Sequence, residues 1–99
     1  MIKVELSDSK RKGKRMRAVL YNFENRKIKT LHFGSSKKQT YIDHGDELRK
    51  KRYIQRHIND KLDEVSPGSL SLYLLWNKKT LKEAIKDYEK RFNVRISHL

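Results

Sequence analysis

Three arginines, Arg49, Arg52 and Arg56, stand at i, i+3 and i+7 in the stretch HGDELRKKRYIQRH. Helical winding brings that spacing onto one face. A guanidinium grips phosphate through a two-pronged fork, so such a row can follow a phosphate backbone better than scattered lysines. Lys50 belongs to the same run. The competing reading is a solvated face held by local pairs such as Glu47–Lys51. The charge of the whole chain favours phosphate contact.

Two further basic stretches could do the same work. SDSKRKGKR with the following residues supplies Lys10, Arg11, Lys12, Lys14, Arg15 and Arg17, and GSSKKQ supplies Lys37 and Lys38. Gly, Ser and Lys let a loop adapt to an anion, and backbone N–H groups can add contacts. Exposed tethers whose lysines only maintain solubility are the alternative. Tyr41, in this basic context, is the ring best placed to stack on a base; Tyr53, Tyr73 and Trp76 fall in apolar stripes that read as core.

Histidines 32, 44 and 57, with Asp43 or Asp46, match no metal template, and no HExxH pair is present. A Gly-rich phosphate loop, a nucleophile elbow and a paired-carboxylate arrangement are also missing. The residues therefore point to a binder without catalytic residues, metal or cofactor.

A net charge of +13, from 25 basic and 12 acidic residues, makes a polyanion the expected partner. Residues 1–40 hold twelve basic against three acidic side chains, so the field is strongest there. No apolar run nears the roughly 20 residues that span a bilayer, and MIKVELSDSK lacks the apolar centre of a signal peptide. Cysteine is absent, which removes disulfides and thiolate metal sites and suggests an intracellular setting or the inside of a particle assembled there.

With 99 residues the chain makes one domain, 1–99, with a modest core. Mobile basic loops are expected at about 7–14 and 34–40. Ile2–Leu6 alternates like a short strand, and Arg15–Phe23 with Arg26–Phe33 reads as a hairpin turning at Glu24-Asn25. In that register Met16, Ala18, Leu20, Leu31 and Phe33 form the core face, and a slip of one residue would exchange the faces. A helix should start near Asp46 and Glu47, with Tyr53, Ile54, His57, Ile58 and Leu62 as its apolar stripe. LSLYLLWN fits strand or helix; Pro67 and Ser69 favour a short buried helix. Thr80 and Glu83 form a capping box before a stripe of Leu81, Ala84, Ile85, Tyr88 and Phe92. Val94–His98 suits an edge strand. The fold class is α+β: a small antiparallel sheet built on the N-terminal hairpin, packed by two or three helices.

One pattern goes further: His32-Phe33-Gly34, then Tyr41, His44 and Asp46, then Arg49-Lys50 and Arg52-Tyr53-Ile54-x-Arg56-His57. It closes with Gly68-x-Leu70-Ser71 and Leu75-Trp76-Asn77. Over roughly residues 26–92 the chain resembles a small uncharacterised family of nucleocytoplasmic large DNA viruses. The resemblance carries no activity; it implies a viral protein, in the virion or at a viral replication site in the cytoplasm or nucleus of the host cell. A DNA virus must neutralise a long polyanion, so DNA is the expected partner ahead of RNA, with no membrane. The expected function is non-enzymatic, largely sequence-independent DNA binding. The alternative is a basic interaction or virion scaffold module that docks an acidic partner or forms a homodimer through strand edges and LSLYLLW.

Overall fold

The computed structural model describes residues 1–57, 59–60 and 62–99. The chain opens with three antiparallel strands, β1 (Ile2–Asp8), β2 (Lys14–Tyr21) and β3 (Lys27–Ser35). Met16 lies opposite Phe33 and Ala18 opposite Leu31, so the expected register holds. Met16, Ala18, Leu20 and Phe33 are buried and Leu31 packs against them. Asn22 makes the turn: its side chain accepts from the N–H groups of Glu24 and Arg26, and Asn25 takes the left-handed conformation at φ +62°. The bulge just before the turn leaves Ile28 unpaired and 49% exposed.

The chain next forms α1 (Tyr41–His44), α2 (Glu47–Arg56) and α3 (Pro67–Leu70). From α3 it runs directly into a π-helical segment, Ser71–Trp76, before α4 (Leu81–Phe92) and β4 (Val94–His98). β4 pairs in parallel with β1, giving the sheet order β3-β2-β1-β4. The architecture is α+β, a small sheet packed by helices, but the sheet is mixed rather than wholly antiparallel. A strand arriving through a long helical crossover can pair in parallel.

Helices cover one face of this sheet. Leu70, Leu74, Leu75, Ala84 and Tyr88 meet Val4, Leu6, Met16, Ala18, Leu20 and Phe33 in a single core. The favoured helix for LSLYLLWN is therefore present. Its leucines are enclosed, however, with Leu70, Leu74 and Leu75 at 0% exposure, and cannot form the dimer surface that the scaffold alternative asked of them. The capping Thr80 accepts from the Glu83 N–H at 3.2 Å, and Ala84 and Tyr88 are buried as the stripe requires. The Tyr88 hydroxyl reaches Ser69 Oγ at 2.9 Å, which satisfies both polar groups inside the core.

Two expectations need correction. Both basic loops are shorter than read, because β1 and β2 take in residues 7–8 and 14, and β3 runs to Ser35. Only residues 9–13 and 36–40 join elements, and the Ser36 N–H donates to the Gly13 carbonyl at 3.2 Å, bringing the two links together. The second concerns α2, which has no buried residue: Ile54 is 37% exposed and Tyr53 is half-buried. Ile58, expected on its stripe, lies outside the described residues. This helix stands at the surface and is anchored by rings rather than by an aliphatic face.

Candidate nucleic-acid interface

Asp46 caps α2, its carboxylate accepting from the N–H groups of Leu48 and Arg49 at 3.0 and 3.2 Å. The helix attaches to the body through Tyr53. The Trp76 ring stacks on Tyr53 with centroids 4.3 Å apart and planes 5° from parallel. Ser71 Oγ meets the Tyr53 hydroxyl at 3.1 Å. Ser71 and Trp76 are five residues apart; an α-helix would point them about 140° apart, whereas a π-turn closes at i→i+5 and nearly aligns them. The wide turn is thus what lets one tyrosine engage both.

With Tyr53 held, the arginine stripe faces a groove of about 680 Å³ between α2 and the end of β3. Arg49, Arg52 and Arg56 line it on the helix side, and Lys38, Gln39 and Ser35 on the other. The floor is aromatic. His57 leans on Tyr53, with centroids 4.4 Å apart and planes 38° from parallel, so Trp76, Tyr53 and His57 form a short column whose last ring is tilted. His57 Nδ1 is fixed by Asp60 at 2.7 Å. Arg49 has a long contact with Asp46 at 4.0 Å; among the described residues Arg52 and Arg56 have no carboxylate partner.

A second groove, lined by Lys14, Lys37 and Lys38 with Arg15 and Ser9, adjoins the first; Ser35, Lys38 and Gln39 belong to both. Six of the expected cations, Lys14, Lys37, Lys38, Arg49, Arg52 and Arg56, therefore lie on one continuous surface. Asp43 also lines the second groove, where Arg15 neutralises it, and the remaining surplus of cations focuses positive potential.

The other expected residues are placed differently. Arg15 is engaged with Asp43 through both guanidinium nitrogens, at 2.5 and 2.8 Å, and with Thr40 at 3.1 Å. Arg17 shares the outer sheet face with His32, its register partner, and donates to Ser7. Lys50 donates to the Asn77 carbonyl at 2.7 Å and sits 4.7 Å above the Tyr41 ring. Tyr41 is 2% exposed and its hydroxyl donates to Glu47, so it has no face left for a base. Lys10, Arg11 and Lys12 project from the turn between β1 and β2, outside both grooves. Tyr73 packs against Tyr88 and Phe92 under Arg91, as a core ring should. Tyr53 and Trp76 also pack, but on the groove.

The histidines are dispersed. His32 Nδ1 meets Ser9 Oγ at 2.7 Å; burial, then the nearby Arg11, Arg17 and Lys14 charges, hold its pKa below the usual value. His44 accepts from the Asp46 N–H, which leaves the proton on Nε2. Among the described residues that atom finds no conventional acceptor, and Trp76 lies edge-to-face at 5.5 Å. Among the described residues no three His, Asp or Glu side chains converge as metal ligands.

Asp43 supports an acid-stability prediction. The Arg15 guanidinium, aided by the Thr40 N–H and hydroxyl, lowers its pKa from 3.8 to about 2. A depressed carboxylate stabilises the fold above its unfolded pKa, and that contribution is lost as pH falls through the folded value. At about 1.4 kcal/mol per unit, stability should fall by up to about 2 kcal/mol between pH ~4 and ~2, with solvent screening trimming the figure. Urea unfolding at stepped pH measures this; Asp43→Asn should be less stable at neutral pH and flatter across that window.

Residues 4–57 match a family of unknown function, DUF5754, over more than half of the chain. The chain belongs to the DUF5754 family. No curated protein and no solved structure matches it. The DUF5754 match runs from β1 to the end of α2, so it includes β2, which the resemblance over residues 26–92 left aside. The matched segment holds the three arginines, the three lysines, Tyr53 and His57; Ser71 and Trp76 come from beyond it.

Proposed function

We propose that this protein is a non-enzymatic, largely sequence-independent DNA-binding protein that contacts phosphates through the two adjoining grooves. The observation that carries the reading is Lys38 in the wall shared by both: it makes Lys14 and Lys37 continuous with the row Arg49, Arg52 and Arg56. Guanidinium and ammonium groups on a continuous surface, two of the arginines without carboxylate partners among the described residues, suit a chain of phosphates. A net charge of +13 adds long-range attraction. DNA rather than RNA, and a virion or viral replication site as the setting, rest on the resemblance of the RYIQRH and LLWNK blocks to the viral family.

Fluorescence anisotropy with labelled DNA at stepped salt concentrations tests it. Log affinity should fall linearly with log salt, with a slope of about −4 to −5 if six cations neutralise about that many phosphates. Affinity should vary little with base sequence. A slope near zero, or heparin displacing DNA with no preference at equal charge, would remove the case for a built phosphate surface.

A further inference from the structure

We infer that the first groove takes a single-stranded segment, seating one base on His57 while the arginine row holds its phosphates. The inference rests on the phosphate reading above and specifies the strand state that fits this site.

Shape is the first reason. The groove, at about 680 Å³, is concave and of small-ligand size. A duplex keeps its bases stacked inside and presents a convex backbone, which can rest only on the rim. A single strand can turn a base inward, and proteins take such strands by pairing a basic wall with an aromatic platform. Here both are present within one concavity. The arginines span about 10 Å along α2, seven residues at 1.5 Å each.

The aromatic column is the second reason. Tyr53 already has two ring neighbours, Trp76 at 4.3 Å and His57 at 4.4 Å, so it is engaged within the column rather than open to a base. His57 ends the column: its side chain is 39% exposed, lines the groove, and is kept in place by Asp60. A base placed on its outer side would add a ring to the column without disturbing the packing beneath it. Gln39 and Ser35, on the opposite wall, offer an amide and a hydroxyl to the base edge, groups that accept every base.

The test compares three probes of equal length at low salt: oligodeoxyadenylate, an abasic strand with the same phosphates, and a duplex. Oligodeoxyadenylate should bind about tenfold more tightly than the abasic strand, the effect of one stacked base. It should shift the His57 ring protons upfield in NMR spectra, which the abasic strand should not do. His57→Ala should abolish the advantage, and His57→Phe, which keeps a ring and loses the imidazole, should restore it. Equal affinity with and without bases, a tighter duplex, or an advantage that survives His57→Ala would overturn the inference and leave phosphate binding standing. Failure of all three probes to bind would instead overturn the phosphate reading itself.

Discussion

Replacing Arg49, Arg52 and Arg56 together by alanine should weaken DNA binding about 100-fold at low salt, because each guanidinium–phosphate pair contributes roughly 1 kcal/mol. The log–log salt slope should become shallower by about 2 on a single strand and by about 3 on a duplex. Every DNA sequence should be affected alike, because phosphate contacts carry no base information. Anisotropy titrations at several salt concentrations give both quantities. The control is Lys10→Ala with Arg11→Ala and Lys12→Ala, which removes the same charge from a turn outside both grooves. If the surface is organised, this control weakens binding much less. Equal effects would mean that net charge alone draws DNA.

The same arginine variant should fold normally. Arg49 keeps only the 4.0 Å contact with Asp46, an exposed pair worth a few tenths of a kcal/mol. Among the described residues Arg52 and Arg56 have no carboxylate partner whose removal could matter. The melting temperature should therefore move by less than about 4 °C, the shift that roughly 1 kcal/mol produces in a domain of this size. A collapse of the fold would show instead that these side chains support it.

The arginine row was legible in the sequence because a helical period needs only local spacing. So was the hairpin, where alternate apolar residues from Met16 to Leu20 and from Leu31 to Phe33 allow one good register. Tyr41 was misread because its neighbours Lys37 and Lys38 suggested an exposed loop. The signal against that was Thr40-x-x-Asp43: the Thr40 N–H and hydroxyl both donate to the Asp43 carboxylate, starting α1 and turning Tyr41 inward. The parallel pairing of β4 was out of reach, since nothing local in Val94–His98 names β1 as its neighbour. The aromatic floor was hidden for a similar reason. An α-helical period separates Ser71 from Trp76, and only a π-turn sets both against Tyr53. Sequence periodicity placed the arginine row and missed the rings beside it.

The second large effect is on stability, at the point where the groove meets the core. Gly34 lies near the end of β3 at φ +75° and lines the first groove. A Cβ there would stand 2.8 Å from Leu75 Cδ1 and 3.3 Å from Arg15 Cβ. Leu75 is fully buried, so its methyl has no open space to retreat into, and Arg15 is held by Asp43. Gly34→Ala should thus cost about 3 kcal/mol, from left-handed strain of roughly 1–2 kcal/mol and overpacking of similar size. Gly13→Ala separates the two terms: Gly13 has φ +82° with nothing within 4 Å of an added Cβ, so it should suffer only the strain, about 1 kcal/mol. Urea denaturation of the two variants gives the difference directly. Equal destabilisation would mean that Leu75 can yield; a larger effect at Gly34 shows that Leu75, which directly precedes Trp76 of the groove floor, lies against this end of the sheet too closely for any side chain.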